Sequence, residues 1–311
     1  MIFSELKESY PHFTRLAEYF EETAPLFMSK NLMQLKASEP DYEFAEKLCR
    51  DAWALCGDRD EEVLKLADTM IEFSMEFVYL QRQLEKSGRY LYSTFQEVEE
   101  HVYNDPERSL SGAPYIWALY FTQVFWITHG RLWQFFLGDF VSPLPEHGRV
   151  LEVPSGNGLF LTHFLLHNPR WRAVAVDLSE TSITFTERVL TLNGMRDAAE
   201  IRKQDFFALA PEEKFDRIIC GEFLEHVEDP LRVLHKLKTH LKADGRVFLT
   251  AAVWAANIDH IYLYRSAQEV REHLEAAGFA MERELVQNVF LDHDPEEAKT
   301  PINYSAILRH A

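Results

Sequence analysis

From residue 148 to the C-terminus the chain alternates short apolar runs with helical stretches. The runs at 149–153, 173–177, 199–203, 216–220, 246–252, 279–286 and 304–309 are β-branched and too brief for helices. Between them, 158–167, 180–193, 230–241 and 267–277 carry helical signals; the last opens on Ser266 with Glu269 three residues on and closes on Gly278. Such alternation predicts an α/β fold, a mostly parallel sheet with helices on both faces. The two final runs are joined by 287–303, which has no helical pattern, so the last strand is expected to be antiparallel.

Residues 1–145 follow a different grammar, with 3.6-residue periodicity and little else. Asp41 and Gly57 bracket one expected helix, and 58–86 reads as another with acids first and bases last, in accord with the helix dipole. A third is expected over about 90–103. After a break at "YNDPERSLSGAP" a long aromatic helix is expected over about 114–137. The expected organisation is an all-helical N-terminal lid or substrate domain, 1–145, and a nucleoside-binding domain, 146–311.

The net charge of −18 opposes phosphate backbones and anionic lipid headgroups, so neither nucleic acid nor membrane is an expected partner. Three cysteines without metal-like spacing suit a reducing cytoplasm, and the N-terminus lacks the pattern of a signal peptide.

The stretch "VLEVPSGNGLF" at 150–160 places two of only 12 glycines one residue apart, directly after the first strand. Gly156 and Gly158 allow positive φ and close approach of a ligand to the backbone. Asp177, about 20 residues further and at the end of the second strand, is placed to accept hydrogen bonds from ribose hydroxyls. Strand, glycines, helix, strand and acid together describe an adenosine pocket. The third glycine of a dinucleotide fingerprint is missing near Leu161.

Glu152-Val-Pro154-Ser-Gly156-Asn-Gly158 resembles motif I of class I S-adenosylmethionine (SAM)-dependent methyltransferases, with Pro154 in the first glycine position. "VAVDLS" is similar to the second motif, which implies Asp177 and Leu178 at the ribose. "KQDFF" is similar to the adenine motif and implies Asp205 and the Phe206 backbone at the base. "FDRIICGEFLEHVEDPLRVLHKLKTHLKADGRVFLT" resembles the section from the fourth strand to the fifth and adds Cys220 to the pocket. The resemblance implies a Rossmann-like methyltransferase sheet with SAM as cofactor.

Glu222, Glu225 and His226 stand in E-x-x-E-H spacing that could place three ligands on one helical turn. Similar spacing binds a divalent metal in small-RNA 2′-O-methyltransferases. The same string is widespread in metal-free relatives, where it lines the SAM pocket, and no metal is expected here. The loop after the fifth strand is where this family places substrate-facing residues, which points to Asn257, Asp259, His260 and Tyr262. His260, His226 and Glu222 are the candidate general bases. Tyr115, Trp126, His129 and Trp133 of the aromatic segment, with Tyr92, are candidates to face a sulfonium cation.

The expected function is methyl transfer to a small-molecule acceptor, in secondary metabolism, with a homodimer through the helical region as the assembly such a chain allows. The chain also looks similar to methyltransferase-like enzymes that cyclise SAM to azetidine-2-carboxylate, releasing methylthioadenosine. A SAM-binding protein without chemistry is the third reading.

Overall fold

The computed structural model describes residues 2–105, 112–142, 144–290 and 299–311. Seven strands, β1 (Arg149–Glu152), β2 (Arg172–Asp177), β3 (Ala199–Lys203), β4 (Phe215–Cys220), β5 (Leu241–Val253), β6 (Phe279–Asn288) and β7 (Ile302–His310), form one sheet in the order β3-β2-β1-β4-β5-β7-β6. The neighbours from β3 to β5 pair in parallel, with Leu151 beside Val174 on one side and Ile218 on the other. β7 lies antiparallel between β5 and β6, as expected of the last strand. Strands covered on both faces read as unbroken apolar runs, and Val150, Leu151, Ile218, Ile219 and Cys220 are all fully buried.

Every strand expected from the sequence is present, with ends shifted by a few residues. The largest shift is in β5, which starts at Leu241 because that residue pairs with Phe215 across a register break. The expected non-helical connection before β7 includes 291–298, outside the described residues.

The helices are α1 (Pro11–Thr23), α2 (Pro25–Ala37), α3 (Tyr42–Leu55), α4 (Asp60–Ser87), α5 (Phe95–Val98), α6 (Ala113–Phe125), α7 (Ile127–Phe135), α8 (Leu159–His167), α9 (Glu180–Leu192), α10 (Pro230–His240) and α11 (Ala267–Ala276). Caps fix their starts. Asp41, Ser179, Asp229 and Ser266 each accept from a backbone N–H in the first turn. At α11 the Glu269 carboxylate reaches back to the Arg265 N–H, one residue before the cap.

Three features depart from the sequence expectation. The long aromatic helix is two, because Trp126 is extended (φ −98°, ψ 123°) between α6 and α7. The helix expected over 90–103 is the short α5, capped by Thr94, and a wide turn over Glu99–Tyr103. The "YNDPERSLSGAP" break falls partly outside the described residues. Finally, α1 and α2 are not among the expected elements, although each begins with a proline in its first turn, where the missing N–H costs nothing.

The chain divides into two compact units, Met1–Glu76 with Ser109–Gln134 and Phe77–Arg108 with Phe135–Ala311. The first is helical. The second holds the sheet and also takes the last part of α4, α5 and the turn at Phe136–Phe140. Phe136 and Phe140 lie edge-on or tilted to Phe248 of β5, at 4.9 and 5.6 Å between ring centroids, which ties that turn to the sheet. Among the described residues no helix is long and apolar enough to cross a membrane.

Candidate functional site

The chain runs outward from β1 to β2 and β3, then returns to place β4 on the other side of β1. In an open α/β sheet this reversal opens a crevice beyond the carboxyl ends of the two central strands. Here the Val153 N–H, just past the end of β1, donates to the Ile219 carbonyl of β4 at 2.9 Å.

The loop from 153 to 158 lines this crevice, entered through a cis peptide bond at Val153–Pro154. Gly156 has φ +51°, and a Cβ built on it would meet nothing within 4 Å. Its N–H donates to Asp177 Oδ2 at 3.0 Å. Gly158 differs. With φ +67°, its missing Cβ would lie 2.8 Å from the Thr186 side chain and 2.9 Å from the Thr186 backbone. The second glycine therefore makes room for α9, and only the first leaves open space for a ligand.

Asp177 is buried at the end of β2 and also accepts the Ser179 N–H at 2.8 Å. Burial raises its carboxyl pKa, against the lowering effect of those backbone N–H bonds. Glu152, at the end of β1, accepts the Leu161 N–H through Oε1, while Oε2 is buried without a partner. Burial pushes this carboxyl well above the usual carboxylate range. A buried carboxyl oxygen without a partner beside an open glycine and an aspartate fits a ligand rich in hydroxyl and amino donors, as a nucleoside with an amino-acid tail is.

Other expected pocket residues divide by exposure. Leu178 and Asp205 are exposed, and Asp205 Oδ1 accepts the Phe207 N–H at 2.9 Å. The Phe206 ring is buried against Phe223 and His240, so only its backbone is left for a base. The Cys220 side chain belongs to the core, and burial pushes its thiol pKa far up. Only the Cys220 backbone is therefore left for the expected pocket role.

A second cluster sits beyond β4 and β5. Glu222 is exposed, with φ +46°, and its N–H donates to Thr250 Oγ1 at 2.9 Å. Leu224–His226 form a single 3-10 turn. Glu225 is fully buried, and neither of its carboxyl oxygens has a hydrogen-bond partner by geometry. Burial, reinforced by the neighbouring Glu222 charge, holds it protonated well above the usual carboxylate range. The Glu225 carbonyl accepts from the Ile261 and Tyr262 N–H groups at 2.7 and 3.0 Å, so the turn after β4 and the loop after β5 are joined through backbone.

That loop brings His260 against His226, with perpendicular rings 4.9 Å apart. His226 Nδ1 donates to the Asp259 carbonyl (3.1 Å) and His260 Nδ1 to the Ala255 carbonyl (3.0 Å). Both imidazoles thus turn Nε2 away from these carbonyls. His260 does not titrate near neutrality as the sequence suggested: burial, then the adjacent His226, push its pKa down to about 3. Asn257 Oδ1 accepts the Ile258 N–H, and the Tyr262 ring packs on Tyr264.

Three residues that the sequence did not single out hold this loop. Gln81 donates to the Trp254 carbonyl and accepts from the Ala256 N–H, both at 2.9 Å, bracketing Ala255 directly after Trp254 at φ +48°. Tyr90 donates to the Ala255 carbonyl at 2.9 Å, and Tyr103 to Asp259 Oδ2 at 3.1 Å. These contacts span more than 150 residues of chain, and no local pattern announces them.

The expected aromatic residues lie apart from one another. Tyr92 stacks on His101 in the sheet unit. Within the helical unit, Tyr115 and Trp126 pack on Phe73, and Trp126 also contacts His129. Trp133 is buried against Phe44 and donates to Gln123 Oε1 at 3.1 Å.

A family model described as a methyltransferase domain matches residues 126–284. A ubiquinone biosynthesis O-methyltransferase of Azotobacter vinelandii is 32% identical over 119 residues, covering 35% of this chain and 49% of that protein. An uncharacterised protein of Synechococcus sp. is 28% identical over 160 residues, 49% of this chain and 36% of the other. The chain therefore spans half or less of the length of these two curated relatives. Among solved structures, mitomycin 7-O-methyltransferase MmcR superposes with a TM-score of 0.51 at 16% identity, covering 80% of this chain and 71% of that one. At that identity the likeness is one of fold.

Proposed function

Because the chain belongs to the class I SAM-dependent methyltransferase domain family, we propose that it transfers a methyl group from SAM to a hydroxyl of a small-molecule acceptor. The observation that carries this reading is the constellation of Glu152, Gly156 and Asp177 at the β1–β4 reversal. When bound, SAM supplies a methyl group activated by its sulfonium centre.

The residues divide the work by position. Asp177, held by the Gly156 and Ser179 N–H groups, keeps lone pairs for ribose hydroxyls. Glu152 offers its unpartnered oxygen to the ligand's amino or hydroxyl donors. Asp205 and the Phe206 backbone lie beyond β3, where an adenine would be read. Exposed Glu222 and part-buried His226 are the groups available to take the acceptor's proton, a contribution of about 10²–10⁴-fold in rate. The choice of a hydroxyl follows from the O-methylation named for the Azotobacter relative.

Mass spectrometry of the protein incubated with SAM, alone and with a panel of phenolic and aliphatic hydroxyl compounds, tests the reading. Intact SAM in the first sample and S-adenosylhomocysteine with a methylated product in the second are expected. Enzyme-dependent methylthioadenosine with an equimolar cyclic amino acid from SAM alone would overturn methyl transfer in favour of intramolecular cyclisation. SAM binding without turnover across the panel would point to a binding protein.

A further inference from the structure

We propose that Glu225, His226 and His260 form a binding site for one divalent transition-metal ion. One ligand atom from each lies within 4.8 Å of the other two. Metal–ligand bonds of about 2.1 Å separate the ligands of a tetrahedral ion by about 3.4 Å, so modest side-chain movement closes the set. The triad is not the one suggested by the E-x-x-E-H spacing. Glu222 is outside it, and the third ligand comes from the loop after β5, 34 residues beyond His226.

A second, independent observation is the state of Glu225. Its side chain is fully buried, and neither oxygen makes a hydrogen bond of good geometry among the described residues; the Glu222 carboxyl and the Ala252 backbone are the groups that approach it. Natural proteins rarely leave a carboxyl group in that condition, and a bound cation would engage one of its oxygens in place of the proton the buried carboxyl otherwise keeps. The imidazoles are prepared for the same task. Each donates Nδ1–H to a backbone carbonyl, His226 to Asp259 and His260 to Ala255, which fixes the tautomer that leaves Nε2 as a lone-pair donor. Outer hydrogen bonds of this kind orient metal-ligating histidines. Tyr90 and Tyr103 hold the carrier loop from outside.

Two imidazole nitrogens and one carboxylate oxygen select borderline ions such as zinc, iron, cobalt or nickel over magnesium or calcium. Three protein ligands leave coordination positions open, and an acceptor hydroxyl is the group those positions suit. That last step rests on the proposed methyl transfer; metal binding itself does not. With His226 held by the ion, exposed Glu222 remains to accept the proton.

The test is titration of the EDTA-treated 311-residue chain with Co²⁺, followed by visible absorption, and with Zn²⁺ by calorimetry. One equivalent per chain is expected, with ligand-field bands of a nitrogen/oxygen site and no thiolate charge-transfer band, since the three cysteines lie outside the triad. Glu225→Gln and His226→Ala should each weaken binding by about 100-fold or more, beyond the cost of losing an outer-shell partner. Absence of a stoichiometric site, or affinity unchanged in folded variants, overturns the proposal. If Glu225→Gln does not fold, His226→Ala, at a part-exposed side chain, decides. SAM binding measured on the same samples reads the nucleoside site separately.

Discussion

Substituting the two glycines of the β1 loop separates what the ligand needs from what the fold needs. Both have positive φ, so alanine at either costs about 1–2 kcal/mol in left-handed strain. At Gly156 the new methyl meets nothing within 4 Å, and strain is the whole cost. At Gly158 it lands 2.8–2.9 Å from Thr186, including its backbone Cα, so α9 must shift. Overpacking of that kind adds about 1–3 kcal/mol. Gly158→Ala should therefore be less stable than Gly156→Ala by about 1–3 kcal/mol in urea unfolding. Binding should order them the other way among folded molecules. The Gly156 methyl projects into the ligand's space and should weaken SAM by about tenfold or more, which is about 1.4 kcal/mol. Calorimetry at a urea-free, folded baseline measures this. Equal stability of the two variants, or wild-type SAM affinity in Gly156→Ala, would refute the assignment of the two glycines to different tasks.

Gln81→Leu should cost about 2–5 kcal/mol in urea unfolding, because it strips the partners from the Trp254 carbonyl and Ala256 N–H, both at buried residues. Tyr90→Phe should cost only about 0.5–1.5 kcal/mol by the same measurement, since the Ala255 carbonyl keeps the His260 Nδ1–H donor. Burial lowers the His129 pKa from 6.5 to about 4, so within that window the unfolded chain binds a proton that the folded chain does not. Stability contributed by this group is therefore present above pH 6.5 and lost as pH falls toward 4, by at most about 3 kcal/mol for a part-exposed ring. Unfolding curves of His129→Gln taken from pH 4 to 7 should lack that part of the slope, and a slope identical to wild type would sink the prediction.

What could be read from the sequence was what local chemistry dictates. The buried parallel strands announce themselves because both faces are apolar, and Asp41 and Ser266 mark helix starts by the bonds they make three residues on. Asp177 was legible because strand and helix lengths set its distance from the glycines. What stayed hidden depends on tertiary packing. Gly158 looked like Gly156 until Thr186 appeared beside it. His260 looked like a titrating base because sequence carries no burial, and its pairing with His226 spans 34 residues. Gln81, Tyr90 and Tyr103 sit in unremarkable helical or loop text, and their roles exist only once the loop after β5 reaches them. In contrast, α1 did carry a readable signal: Pro11 followed by Phe13, Leu16, Ala17 and Phe20 at helical spacing, all buried.

The crevice at the β1–β4 reversal is proposed to hold SAM through Asp177. Equilibrium titration of wild type and Asp177→Asn with S-adenosylhomocysteine tests it most directly. One equivalent bound per wild-type chain, and affinity at least about tenfold lower in an Asp177→Asn protein that unfolds cooperatively, is the predicted result. No binding to the wild type, or the same affinity in both, would contradict it.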